Sequence, residues 1–384
     1  MSKATYDYII IGAGASGLLL ANALGKDSFF SEKSILLLDK DLNKPNDRTW
    51  CFWEKGRGAF DAILHKTWDH IFVGDDHYSK RTPIAPYEYK MIRAEDFYHA
   101  YRDKINHHAN ITFLEGNVKN IKDMGHEVMV STDADTFKGK RIFNSIFDYK
   151  PLLKQTRYPV LKQHFIGWFV KTSKPTFDRN QATFMDFSVP QKGNTRFMYV
   201  LPFSETQALV EYTLFSKEVL PDHEYDEAIK TYLNDDLNCK EYEIIEKEKG
   251  SIPMSCYDFN LHNSTNMLHI GVAGGWAKPS SGYTFMRTVH KTQALIPFLK
   301  KDKPLNTFSK RDRFWFYDLL LLDILYKDNH KGRLIFGQLF KNRTPQKIFA
   351  FLDEKSTIWQ DLSIILACPK KEFIKAFVRR IFLI

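Results

Sequence analysis

Cysteine is scarce in this chain. Cys51, Cys239, Cys256 and Cys368 stand far apart, and no two form a C-x-x-C pair. That spacing excludes a disulfide framework and a thiolate-rich metal centre, so no metal is expected, and it suits a reducing cytoplasm. Long apolar runs are missing too: no uninterrupted stretch reaches the ~18 residues that a membrane-crossing helix needs. A membrane, if the chain meets one, is expected as a surface. The sequence opens almost at once on an apolar strand, and no secretory leader is expected. Zinc-finger spacing and RNA-recognition signatures are absent, which argues against nucleic acid as a partner.

The formal charge of +9 is unevenly placed: residues 300–384 hold 18 Lys/Arg and 9 Asp/Glu, whereas residues 1–299 hold 37 of each. The surplus coincides with helical patterns. Phe373, Ile374, Phe377, Val378, Ile381 and Phe382 repeat at the spacing of one helical face, beside Lys371, Lys375, Arg379 and Arg380. Such a helix either packs onto the protein's own core or lies on an anionic lipid surface. Aromatics make up 15% of the 384 residues, which suits a large apolar ligand site as well as an aromatic core. The length predicts two or three domains.

What is present most clearly is a nucleotide fingerprint. Tyr8 to Ile11 reads as a buried strand, Gly12, Gly14 and Gly17 form G-x-G-x-x-G, and Ala15 to Leu24 reads as a helix. The first glycine permits the tight turn, the second lets backbone approach a pyrophosphate, and the third lets helix and strand pack closely. Phosphates are then expected at the helix N-terminus, where free N–H groups and the dipole favour negative charge. A second strand, Ser34 to Leu38, ends in Asp39, where an acid would accept ribose hydroxyls. This arrangement predicts a bound dinucleotide without separating FAD from NAD.

Further along, Asp47 to Glu54 (DRTWCFWE) reads as a loop that is either docked by its aromatics or lines the cofactor. In the second case Arg48 supplies a fixed cation and Trp50 or Trp53 a flat wall. Arg93 either reaches a flavin phosphate or caps its region. Residues 151–249 change character, with four β-rich stretches ending near Ser173, Gln191, Phe203 and Ser216, followed by a helix over Glu224 to Leu237. The expected architecture is α/β with an α+β insert. A Rossmann-type dinucleotide domain (1–150 and 250–300) is interrupted by an antiparallel-sheet substrate domain (151–249) and followed by a helical basic tail (301–384). Met267 to Val272 is expected as a strand, followed by a second glycine-rich turn with Gly274, Gly275 and Gly282 and a helix from about Tyr283. Two such helix starts imply a ligand longer than one mononucleotide, for which FAD is the natural candidate.

The stretches IIIGAGASG, RTWCFWE, FMDFSVPQ with RFMYVLPF, LVEYT, GSIPM and GVAGGWAKPSSGYTF occur in an order that resembles the lycopene cyclases of bacterial carotenoid synthesis. The resemblance covers residues 6 to about 290. LPF with LVEYT, and AGGWAKPSSGY, are its more specific parts. It implies a Rossmann-type flavoprotein that carries out a redox-neutral isomerisation, lycopene β-cyclisation of open ψ-ends to β-ionone rings. It further implies reduced FAD, NAD(P)H as the reductant, a linear carotenoid substrate and peripheral attachment to the cytoplasmic face of a membrane, with no obligate protein partner evident. By the resemblance Glu211 is the proton donor, and Gly12, Gly14, Gly17, Asp39, Arg48, Gly274 and Gly275 line the flavin. The match departs at Asn144 to Asp148, where many relatives carry a D-x-R-G-like turn.

The chemistry makes the same demand of residue 211. Protonating an alkene requires an acid that keeps its proton at neutral pH, and a carboxyl desolvated among apolar groups does so. Glu211 follows Ala208, Leu209 and Val210 and precedes Tyr212. The group that takes the final proton is open among the flavin, Glu211 and Asp186, and a turn residue is the equal alternative for Asp186. The alternative function is an FAD-dependent prenyl reductase or monooxygenase acting on a membrane isoprenoid. A non-enzymatic carotenoid or lipid binder is the third.

Overall fold

The structure, a computed structural model, describes residues 5–382. The last two residues of the tail pattern, Leu383 and Ile384, lie outside that range. Thr5–Ile11 is the central strand of a seven-stranded sheet, flanked in parallel by Ile35–Asp39 and Thr136–Asn144. Ile111–Glu115 extends one side in parallel, and Val128–Thr132 and Val118–Asp123 extend the other antiparallel. Ile9, Ile10, Leu36 and Leu37 are fully buried, as a parallel strand covered on both faces requires. Helix Ala15–Lys26 packs on one face through Leu18, Leu20, Ala21 and Leu24. Each fully buried Leu contributes about 1.5–3 kcal/mol.

The second sheet also has seven strands, in the order Tyr242–Met254, Leu161–Thr172, Gln207–Ser216, Thr195–Pro202, Gln181–Asp186, His70–Asp75, Tyr78–Pro83. It is therefore not confined to residues 151–249, because two strands come from the first block of the chain. Its outer face carries Met198, Val200, Val210 and Tyr212 under helix Asp222–Thr231, where Tyr225 and Ile229 are buried. Phe197, Leu201, Leu209 and Phe215 point the other way, into a cluster shared with the tail. A three-stranded sheet of Thr49–Lys55, Tyr87–Arg93 and Lys66–Trp68 completes the β structure. Asp47 to Glu54 is thus mostly strand, not loop, with Trp50 and Phe52 stacked on Phe285.

The tail forms five helices, Arg313–Lys327, Gly332–Asn342, Pro345–Leu352, Ile358–Ile365 and Lys370–Phe382. They fold back over the inner face of the second sheet. Trp53 fastens this roof by stacking on Phe349 at 4.6 Å and donating from Nε1 to Asp353 at 2.9 Å. The apolar face expected in the last helix is divided. Phe373 and Ala376 pack inward, Ile374, Phe377, Val378 and Ile381 stay exposed, and Arg380 pairs with Asp323. Among the described residues no helix is long and apolar enough to cross a membrane.

Candidate active site

Between the second sheet and the helical roof runs a cavity of about 540 Å³ that reaches the first glycine turn. At that end the backbone geometry follows from the glycines. Gly12 has φ +95°, and a Cβ on Gly17 would collide with the Gly12 carbonyl. Gly14 has nothing within 4 Å of where a Cβ would stand, and it lines the cavity with Ala15 and Ser16. Helix Ala15–Lys26 has no side-chain cap and no acid in its first turn, so no side chain of the helix itself covers the N–H groups at this end. The second turn meets this cradle through Gly271, at φ +61°, where a Cβ would stand 2.7 Å from Ser16 Oγ. Gln163 Oε1 and Ser281 Oγ are buried without hydrogen-bond partners, and both residues line the cavity. Buried polar atoms left unpaired in this way need a polar ligand or water. A pyrophosphate at Gly14–Ser16, with a polar ring edge beside Gln163 and Ser281, fits these groups.

Other expected contacts fall elsewhere. The strand expected over Met267 to Val272 ends at His269, and Gly271–Gly274 is a short 3₁₀ turn. Gly274 and Gly275 line a smaller recess beside Trp276, whereas Gly282 lines the main cavity. The following helix starts at Phe285 with Thr284 as its N-cap, so Ser280 and Ser281 belong to the preceding turn. Asp39 is buried, and its carboxylate accepts from Ala13 N at 2.5 Å and Asp41 N at 3.0 Å and pairs with Lys44 at 2.8 Å. In this structure Asp39 therefore fixes the glycine turn. Arg48 lines the cavity mouth, mostly exposed, beside Asp47. Arg93 pairs with Glu246 at 2.6 Å and lies over the Phe169 ring.

The chemistry of the other end is organised by strand register. Gly167 is paired with Glu211 on one side and with Glu248 on the other, and Glu211 is paired in turn with Tyr199. Residues level across a sheet share a face, so Glu248, Gly167, Glu211 and Tyr199 form one row along the cavity floor. A Cβ on Gly167 would stand 3.3 Å from Glu248 Cγ and 3.5 Å from Glu211 Cβ. The Leu209 Cδ1 atom, 2.8 Å from the same point, takes the space that the missing side chain frees, so the glycine lets Leu209 and both glutamates crowd onto one face. Glu211 is 7% exposed, and its one hydrogen bond is accepted from the Thr213 hydroxyl. Burial, and then the charge of Glu248, hold its pKa well above the ordinary carboxyl value. Glu248 is also raised, chiefly by burial, but Thr49 Oγ1 donates to it at 2.7 Å and Arg93 favours its charged form. Beyond Tyr199 the row continues as hydroxyls: Tyr89 Oη lies 2.6 Å from Tyr199 Oη and 3.1 Å from Tyr283 Oη. Burial pushes all three phenols up, so they remain neutral donors.

Asp186 is not brought to this row. It lies on the outer face of the same sheet, where Tyr232 Oη donates to it at 2.8 Å and Ser188 N at 3.0 Å. The groups that sequence reasoning missed are Glu248, Gly167, Gln163 and the three tyrosines. A signal for Glu248 existed in EKEK. Lys247 and Lys249 pair outward with Asp226 and Asp222, which leaves Glu246 and Glu248 on the inner face. The remaining walls are apolar, with Phe184, Phe197 and Leu209 below and Phe336, Leu339 and Phe351 above. Such a site can hold an extended apolar molecule with one end against a protonated carboxyl.

Two plant proteins are among the relatives. The chain is 26% identical over 324 residues to a chloroplastic neoxanthin synthase of Solanum tuberosum and 25% identical over 323 residues to that of Solanum lycopersicum. The matches cover 77% and 78% of this chain, which spans about 60% of the length of these curated relatives. Among solved structures it is similar to a geranylgeranyl bacteriochlorophyll reductase-like protein from Thermoplasma acidophilum, with TM-score 0.63 and 10% identity, covering 97% of this chain and 98% of the other. It is also similar to halogenase PltM in complex with phloroglucinol and FAD, with TM-score 0.60 and 13% identity, covering 91% of this chain and 82% of the other. At these identities the structural likeness is one of fold. The family model described as lycopene cyclase protein matches residues 7–378, and this chain belongs to that family.

Proposed function

We propose that this protein is a lycopene β-cyclase, an isomerase that converts the ψ-ends of a linear carotenoid to β-ionone rings. The observation that carries the reading is Glu211, a buried acid at an apolar cavity with no cation paired to it. An acid in that setting keeps its proton at neutral pH and delivers it to an alkene. The relatives' carotenoid chemistry and the family membership support the same substrate class.

Gly14, Ala15 and Ser16 would hold the pyrophosphate of FAD, with Gln163, Ser281 and Gly282 beside its ring system and Arg48 at the mouth. FAD, kept reduced by NAD(P)H, supplies negative charge beside a carbocation, with no net electron transfer to substrate. The chain's own residues do the rest. Glu211 donates the first proton, Thr213 orients its carboxyl, and the aromatic walls exclude water and face the cation with their π-electrons. The exposed apolar residues Ile374, Phe377, Val378 and Ile381, among basic neighbours, suit peripheral attachment to the cytoplasmic face of a membrane. Flotation with anionic vesicles tests this, and a chain that stays in the dense fraction removes the attachment.

Expression in a lycopene-accumulating host, followed by pigment analysis, tests the function. The expected product has the mass of lycopene and carries β-rings. Added hydrogen or oxygen would instead indicate a reductase or monooxygenase, and unchanged lycopene with well-expressed, flavin-loaded protein overturns the reading.

A further inference from the structure

The cyclisation reading needs a second proton transfer, and we propose that Glu248 performs it: Glu211 gives the proton that starts the reaction, and Glu248, across Gly167, takes the proton that ends it. The inference rests on that reading and adds a residue and a role to it. Its basis is geometric. The two glutamates sit level on strands Gln207–Ser216 and Tyr242–Met254, on either side of Gly167, a residue without a side chain over which Leu209 Cδ1 packs. Both line the same cavity, which Asp186 does not.

Their surroundings divide the roles. Glu211 has a single hydroxyl partner, with neutral Tyr199 and Cys51 near it and Glu248 as the charge that acts on it. Only the Thr213 hydroxyl favours the anion, and burial and the charge of Glu248 outweigh it, so Glu211 holds the proton. Glu248 accepts from Thr49 Oγ1, and the Arg93–Glu246 ion pair lies beside it. Thr49 and Arg93 favour its ionised form, the state a base requires, against burial and the charge of Glu246. Two carboxyl groups whose environments differ in this way divide acid from base.

The steps balance. The Glu211 O–H bond breaks as a C–H bond forms at the terminal alkene carbon, leaving a tertiary cation. The electron pair of the next alkene closes the six-membered ring and carries the positive charge into it. A ring C–H bond then breaks, its electrons forming the ring double bond and its proton forming an O–H bond on Glu248. Glu248 then releases that proton to solvent and the Glu211 carboxylate takes one up, which resets the pair. Product and substrate are isomers, and no oxidant or reductant is consumed.

The base also decides which ring proton is lost, and therefore where the ring double bond lies. The test compares wild-type, Glu248→Gln and Glu248→Asp, each as the full chain loaded with FAD and supplied with reductant and lycopene. Glu248→Gln is expected to lower turnover by about 100-fold or more with an unchanged flavin spectrum. It should also spread the product over several ring double-bond isomers and remove the acidic limb of the kcat/KM pH profile, whereas Glu248→Asp retains that limb. A Glu248→Gln enzyme with wild-type rate, one ring isomer and both limbs overturns the role of Glu248 alone. A wild-type chain that leaves lycopene unchanged overturns the cyclase reading and this inference with it. Should Glu248→Gln fail to fold, Thr49→Val serves. Without the hydroxyl that stabilises the ionised form, the acidic limb should move to higher pH, and an unmoved limb overturns the proposal.

Discussion

Glu211 and Asp186 stand on the same sheet with one strand between them, and the two are 7% and 8% exposed. They differ in which face they occupy and what they meet there. Asp186, on the outer face, accepts from a phenol and a backbone N–H, contacts that hold a carboxylate in place. Glu211, on the cavity face, has one hydroxyl and a second carboxylate as its neighbours. Burial alone therefore does not mark an acid for catalysis. The deciding feature is a partner set that leaves the proton as the best available counter-charge.

The largest effect that tests this contrast comes from neutralising each acid in turn. Glu211→Gln should lower cyclisation by about 10²–10⁴-fold, the usual contribution of a positioned proton donor, while retaining the flavin spectrum. Asp186→Asn should keep turnover within a few-fold and lower unfolding stability by about 1 kcal/mol through its weakened hydrogen bonds. Turnover assays paired with urea unfolding measure both. If Asp186→Asn abolishes turnover with the fold intact, the assignment by face fails.

A smaller effect is carried by stability alone. Because the Glu211 pKa is raised above 4.5 in the folded protein, the folded chain binds more protons than the unfolded chain between 4.5 and the raised value. Stability therefore falls as pH rises through that window, at up to about 1.4 kcal/mol per pH unit for one proton. Glu211→Gln should flatten this slope. An unaltered slope in the Gln variant would show that Glu211 does not hold its proton on folding.

Legibility in the sequence followed the range of the interactions. The Gly12–Gly17 turn is built by neighbours along the chain, so its glycines and helix could be read directly. The tail helices were legible from their period, but an apolar face does not say which surface it meets, and most of these faces meet the cavity. Thr49–Lys55 read as a loop because its pairing partner, Tyr87–Arg93, lies far along the chain. Glu211 could be singled out from its apolar neighbours and the family motif. The alternation in EKEK puts Glu248 on one face with Glu246, but its place beside Gly167 depends on how Tyr242–Met254 registers against Leu161–Thr172. The turn at Gly271–Gly282 was read as glycine-rich, but which glycines face the cavity depends on how closely Ser16 approaches Gly271.

The smallest effect acts on the single contact that makes Glu211 resemble Asp186. The Thr213 hydroxyl donates to Glu211 and so favours its charged form, against the direction of burial. Thr213→Val keeps the shape and removes the donor. A neutral hydrogen bond contributes about 1 kcal/mol, which corresponds to about 0.7 of a pH unit. The alkaline limb of the cyclisation pH profile should therefore move upward by less than one unit, with turnover at neutral pH within a few-fold of wild type. Thr213→Ser restores the hydroxyl and should return the limb. A limb that stays in place, or moves down, would mean that the alkaline limb reports a group other than Glu211. The contrast between the two acids would then have to rest on position in the cavity and not on protonation.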